Sequence, residues 1–197
     1  SWLEQIHLLQ RALRPLNGCG KIYFEYAVPR LGKRIDVVLL IDNVIFVIEF
    51  KVGEKEFTSS AVDQVMDYAV DLKNFHETSH NCTVAPLLVA TNAKPPAFAV
   101  VATAQNDGVL LPILATEQSL LDVLRDVLQF ADGLKISADD WEKGRYRPTP
   151  TIIEAAMALY GGHAVTDISR NDASAVNLAR TSVAIANVIR DAKVRSR

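Results

Sequence analysis

Three ionisable residues set into a pair of apolar runs have the types and spacing for metal chemistry. Ile35 to Ile41 and Val44 to Lys51 are almost wholly apolar, and Asp36, Glu49 and Lys51 are the exceptions. Asp42-Asn43 separates the runs, and both residue types tolerate the positive φ angles of a tight two-residue hairpin turn. If Ile41 faces Val44, counting outward along both strands brings Asp36 opposite Glu49. Directly opposed residues on an antiparallel pair hold their Cβ atoms about 4.5–5.5 Å apart on one face, and like charges there are destabilising. A divalent cation removes the difficulty, because converging hard oxygen ligands are how Mg²⁺ or Mn²⁺ is held, with waters completing the shell. Lys51 follows Glu49 by two residues, so it projects from the same face roughly 7 Å along the strand. Arg34 stands opposite it.

A cation held by two acids beside an ammonium suits hydrolysis of a phosphodiester. The metal acidifies a water and steadies charge developing on phosphate, while Lys51 positions or polarises the nucleophile. An Asp, a Glu and a Lys near strand ends more often make a solvated salt bridge. Here Ile35, Val37, Ile48 and Phe50 flank the acids, and burying either charge unpaired would be costly. A four-residue loop would keep this pairing, whereas a three-residue loop or a bulge would shift it. Arg30, Lys33 and Arg34 form a small basic cluster beside the acids, suited to phosphate contact or simply to a solvated turn.

The elements that must position these groups follow from periodicity. Trp2, Ile6, Leu9 and Leu13 recur at helical spacing, and Pro15 with Asn17-Gly18 closes that helix. Ile22 to Val28, Ile35 to Ile41 and Val44 to Lys51 read as strands, the last two apolar on both faces and so central in a covered sheet. Residues 59 to 75 carry Val62, Val65, Met66, Ala69 and Leu72 on one side, which predicts a helix covering that sheet. A strand at Val84 to Ala90, a loop at Asn92 to Pro96, a strand at Val109 to Ala115 and a helix capped by Thr116 and running to about Phe130 complete the pattern.

From Ser137 onward only helix signals appear: starts at Ser137-Ala138-Asp139-Asp140 and Thr151-Ile152-Ile153-Glu154, a stop at Gly161-Gly162, and a long Ala- and Val-rich helix from Ala173 to about Arg195. The expected organisation is an α/β core over residues 1–136 with a helical appendage over 137–197. The apolar face expected on the last helix could meet a second copy, giving a homodimer, or a neighbouring domain.

At 197 residues, 49% apolar and 22% charged, the chain has the balance of a globular protein with a real core. A net charge of −2 gives no nucleic-acid footprint over the whole molecule, so any such contact needs a local patch. Cys19 and Cys82 are too few for a disulfide framework and lack metal-ligand spacing, which points to a reducing interior and two inert thiols. No apolar run approaches the ~20 residues of a membrane span, and no signal core opens the chain, so a cytoplasmic protein with no membrane partner is expected. A start without Met and an end in Lys193-Val194-Arg195-Ser196-Arg197 suggest a piece of something longer.

Arg34-Ile35-Asp36 followed by Val47-Ile48-Glu49-Phe50-Lys51 resembles the D…(D/E)XK signature of the PD-(D/E)XK nucleases. That resemblance implies the restriction-endonuclease-like fold, an α-β-β-β-α-β core with a mixed sheet flanked by helices. It also implies Asp36 and Glu49 as ligands to Mg²⁺ or Mn²⁺, a backbone carbonyl from Phe50, and Lys51 assisting the water. Ile35 stands where the signature has Pro. Gln64 and Tyr68, four apart on one helix face, resemble the Gln-x-x-x-Tyr element of the RecB-like branch, which supports the site or touches the substrate; a plain polar flank is the other use of such a pair. The first acid of such sites often comes from the opening helix or first strand, and Glu25 is preferred over Glu4 for it. Phe24-Glu25-Tyr26, Pro29-Arg30, Ile48 to Gly53, Asp67-Tyr68-Ala69, Asp71-Leu72 and Asn74-Phe75-His76 resemble the amino-terminal region of a family of uncharacterised bacterial DNA/RNA helicases, over most of residues 1 to 160. That implies a nuclease part of a nuclease-helicase in DNA processing or defence, acting on DNA ahead of RNA, with the fused helicase domain absent from this chain.

The alternative is a nuclease fold without turnover, serving as a nucleic-acid-binding or protein-docking scaffold. Gly18-Cys19-Gly20-Lys21 is not a phosphate loop, since Pro15 replaces the required first Gly and Ile22 the Ser or Thr. His76 and His80 have helical spacing for zinc but no evident third ligand, and surface or capping roles are expected.

Overall fold

The computed structural model describes residues 2–16, 20–28 and 32–146. Arg30, Cys19 and the helices expected beyond Thr151 lie outside the described residues. The element order is α1 (Trp2–Leu13), a 3₁₀ turn (Arg14–Leu16), β1 (Gly20–Val28), β2 (Lys33–Ile41), β3 (Val44–Lys51), α2 (Ser59–Phe75), a 3₁₀ turn (Glu77–Ser79), β4 (Thr83–Ala90), β5 (Ile113–Ala115), α3 (Leu120–Phe130) and α4 (Ala138–Glu142). The strands form one mixed sheet in the order β1-β2-β3-β4-β5. β1, β2 and β3 pair antiparallel, and β3-β4 and β4-β5 pair parallel, α2 forming the crossover between β3 and β4. The protein is thus α/β, a five-stranded mixed sheet flanked by helices.

The alternation of β3 builds two cores. Val44, Phe46, Ile48 and Phe50 point to one face, where Leu8, Leu9 and Ala12 of α1 and Leu120, Val123, Leu124 and Val127 of α3 cover them. Ile45 and Val47 point to the other, under Ala61, Val65, Tyr68, Ala69 and Leu72 of α2. Strands apolar on both faces are what a sheet with helices on both sides requires. Glu49 and Lys51 continue the odd-numbered series, which places them on the α2 face. Trp141 of α4 also joins the α2-side core and is 1% exposed. The segment from Ser137 therefore begins as part of the packed unit.

The hairpin has the expected register, with Ile41 facing Val44 and Val37 facing Ile48. Of the two turn residues Asp42 has the positive φ, at 50°. One level of the sheet departs from simple alternation. Phe24 and Val37 pack on the α1 side, whereas the next paired residues along, Tyr26 and Ile35, pack on the α2 side. The intervening pair is Glu25 and Asp36, and Glu25 has φ 51°, uncommon for a non-glycine residue. Both strands change face at this level.

β5 is shorter than expected. Val109 and Leu110 make isolated bridges to Val84 and Ala102, and the regular ladder starts only at Ile113. Pro112, which has no N–H to give, separates the two parts.

Candidate functional site

Asp36 and Glu49 occupy the next step in register beyond the Val37–Ile48 pair. Instead of continuing the ladder, the Phe50 amide donates to Asp36 Oδ2 at 2.8 Å. This contact anchors one carboxylate oxygen at the margin of β3. Glu49 is buried, 5% exposed, and its two oxygens differ. Oε1 accepts from Lys51 Nζ at 3.0 Å and from Gln64 Nε2 at 2.9 Å. Oε2 is buried with no hydrogen-bond partner among the described residues. Such an atom in a folded core needs a reason.

The helix above completes the cluster. Thr58 caps α2, its side chain accepting from the Ala61 amide, so the helix starts where the strand-to-helix connection delivers it. Gln64 and Tyr68 then fall on consecutive turns facing β3. Gln64 Oε1 accepts from Lys51 Nζ at 3.3 Å, and Gln64 Nε2 also donates to the Tyr68 hydroxyl at 2.9 Å. Asp36, Glu49, Lys51, Gln64 and Tyr68 are thus gathered at one place. Phe50 turns its side chain to the opposite core, so only its backbone can take part.

Burial raises the pKa of Asp36; the Phe50 amide and Lys51 oppose the shift without cancelling it. Burial also raises that of Glu49, with the charge of Asp36 adding to it and Lys51 opposing. Burial likewise raises the Tyr68 phenol. For both carboxylates burial outweighs the help that Lys51 gives to the charged form.

Among the described residues, the others singled out for the site, Glu25, Lys33, Arg34 and Glu4, are exposed. Glu25 is exposed and pairs with Arg34 at 3.8 Å, its charge adding only the smallest upward influence on Asp36. Lys33 and Arg34 are exposed at the start of β2. Glu4 is exposed on α1, whose buried residues pack on the other face. Among the described residues, no group of three or more His, Cys, Asp or Glu side chains is gathered tightly enough to hold a metal.

Two features fall outside the expected site, and the first corrects the surface role expected for His76. His76, at the C-cap of α2, is 1% exposed. Its Nδ1 lies 2.8 Å from Ser79 Oγ, Trp141 Nε1 donates to the same hydroxyl at 2.9 Å, and the His76 and Trp141 rings are 4.4 Å apart. Burial pushes His76 down to about 4, so it is a neutral structural ring. The second is the turn after Lys51. The Glu54 amide donates to the Lys51 carbonyl at 3.3 Å, and Gly53 has φ 84°, the signature of a type II turn with glycine at its third position. Val52-Gly53 directly after an apolar strand could have announced it; its partners on β4 could not be read.

No protein-family model and no curated protein matches the chain. Among the described residues, no helix is long and apolar enough to cross a membrane.

Proposed function

We propose that this chain is a metal-dependent nuclease domain that hydrolyses phosphodiester bonds of nucleic acid, DNA ahead of RNA, with the restriction-endonuclease-like topology. The observation that carries the reading is Glu49 Oε2, a buried carboxylate oxygen without a hydrogen-bond partner among the described residues, beside a second carboxylate whose pKa is also raised. Such a pair fits a hard divalent cation, whose charge would reverse both shifts. Asp36 and Glu49 would hold Mg²⁺ or Mn²⁺, with the Phe50 carbonyl as a further donor. Two protein carboxylates suit Mg²⁺, which keeps several waters and shares its shell with substrate phosphate. The cation supplies the acidified water and the counter-charge for phosphate.

The chain's own groups have separable tasks. Lys51, held between Glu49 and Gln64, presents an ammonium to an incoming phosphate or water. Gln64 ties Glu49 to Tyr68 and keeps the carboxylate from rotating away. Lys33 and Arg34, exposed at the start of β2, would meet phosphates flanking the scissile bond. A fused helicase partner follows from the sequence resemblance alone.

Among the described residues no third Asp, Glu, His or Cys joins Asp36 and Glu49 in a metal-holding group, and the second reading is a fold that binds nucleic acid without cutting it. Incubation with single- and double-stranded DNA and RNA in Mg²⁺, Mn²⁺ or EDTA separates the two. Metal-dependent cleavage lost in Asp36→Ala supports the nuclease. Binding without cleavage in every condition, unchanged by Asp36→Ala, supports the scaffold.

A further inference from the structure

Lys51 is the last residue of β3, and no later ladder residue holds its backbone in place. Its carbonyl takes part in a compact arrangement instead. It accepts from the Glu54 amide, closing the turn Lys51-Val52-Gly53-Glu54, and from the Thr91 amide of the neighbouring parallel strand, both at 3.3 Å. The turn is then gripped from the end of β4. Thr91 Oγ1 accepts from the Gly53 amide at 2.8 Å, Asn92 Nδ2 donates to the Gly53 carbonyl at 3.3 Å, and the Asn92 amide donates to the Glu54 carbonyl at 3.1 Å. The N–H and the C=O of Gly53 are thereby both engaged by two consecutive residues.

We infer that Thr91 and Asn92 are positioning residues for Lys51, acting through the turn that follows it; this rests on the nuclease reading above. The reason lies in the leverage of a terminal residue. A lysine stem has four rotatable bonds, and its Nζ stays near Glu49 and Gln64 only if the backbone that launches it is fixed. The β3–β4 ladder fixes one side of Lys51, at its pairing with Ala90. The gripped turn fixes the other. Neither Thr91 nor Asn92 touches Glu49, Gln64 or Tyr68 by any hydrogen bond seen among the described residues, so their influence on the site runs through the Lys51 backbone. Gly53 offers a second handle. A Cβ there meets nothing within 4 Å, yet φ 84° opposes any side chain, so Gly53→Ala loosens the turn without touching its neighbours.

The test uses the full chain and two independent readings. The first is the Lys51 side-chain resonance, recorded without nucleic acid and assigned by its loss in Lys51→Arg. The second is the rate of DNA cleavage with Mg²⁺ or Mn²⁺. Thr91→Val removes the acceptor and keeps the shape; Thr91→Ser restores the acceptor. Thr91→Val and Gly53→Ala should each shift or broaden the Lys51 signal and lower kcat by about 10- to 100-fold, the scale of a small misplacement of a reacting group. KM and the cation-induced rise in melting temperature should stay near wild type, because Asp36 and Glu49 are untouched, and Thr91→Ser should recover most of the rate. An unchanged Lys51 signal in Thr91→Val overturns the inference, as does a shifted signal with unchanged kcat, or a Thr91→Ser variant as slow as Thr91→Val. A wild type that cleaves nothing overturns the nuclease reading and the inference with it, whereas failure of the inference alone leaves wild-type cleavage intact.

Discussion

Replacing Glu49 by glutamine separates the charge of that side chain from its shape. Without a cation, burial and the neighbouring Asp36 push the Glu49 carboxyl up, so the native state carries a carboxylate it would hold more easily as the acid. The charge of Asp36 adds to the effect of burial on Glu49, and each pKa unit of such a rise corresponds to about 1.4 kcal/mol between the two protonation states. The Lys51 contact at 3.0 Å opposes this rise without cancelling it. Glu49→Gln is therefore expected to raise the metal-free melting temperature at neutral pH by about 2–4 °C, the counterpart of about 1 kcal/mol in a domain of this size. Adding a divalent cation should reverse the order. A ligand of the native state alone, present at about ten times its Kd, contributes about 1.4 kcal/mol, which the wild type gains and the variant does not. Cleavage should fall in the variant by about 10³-fold or more.

The pH dependence carries a definite sign. A carboxyl group whose folded pKa lies above its unfolded value binds more protons when folded, so metal-free stability falls as pH rises from about 4 through the raised values of Asp36 and Glu49. The cation-induced gain should grow over the same window. Calorimetric melts of both proteins in Mg²⁺, Mn²⁺ or EDTA across that range measure every part of this. A Glu49→Gln protein that melts below wild type without metal, yet keeps the whole cation-induced shift, would refute the reasoning.

Three further outcomes are expected. Tyr68→Phe removes the hydroxyl that accepts from Gln64 at 2.9 Å; denaturant titration should register a loss of about 1 kcal/mol, and cleavage assays a several-fold drop in kcat with KM unchanged. His76, pushed down to about 4, contributes fully above its ordinary value near 6.5, and that contribution fades as pH falls toward 4. It is worth at most about 3 kcal/mol, so acidification should lower the denaturant midpoint of wild type more than that of His76→Gln. Asp42→Gly should stabilise by about 0.5 kcal/mol in urea titrations, since Asp42 sits at φ 50° and its exposed ion pair with Lys135 is 3.8 Å long.

The sheet was largely legible because its hydrophobic pattern and its turn agree. Asp42-Asn43 between two apolar runs fixed which residues of β2 and β3 pair from Val37 and Ile48 to the turn, whereas the ladder stops short of Asp36 and Glu49. The spacing of Gln64 and Tyr68 put both on the helix face toward β3 because helical period is a local property. What escaped depends on distant partners. Trp141 stands among Asp139, Asp140 and Glu142 and reads as a surface residue, yet its indole donates to Ser79 in the α2-side core. His76 gives no local sign that an aromatic ring will cover it. The left-handed backbone at Glu25 is invisible in a run rich in strand formers. Thr116 was expected to cap α3, but it forms the preceding turn, its amide donating to Ser119 Oγ, and the helix starts at Leu120.

The hairpin also bears on the order in which the molecule assembles. Its contacts span few residues and cost little loop-closure entropy, whereas β4 must wait for the α2 crossover and β5 for a longer excursion. The two acids should therefore come together in the folding transition state, before the parallel half of the sheet exists. Substitutions in β2 and β3 should then slow refolding, and those in β5 should mainly quicken unfolding. Stopped-flow traces showing the opposite partition would place the nucleus elsewhere.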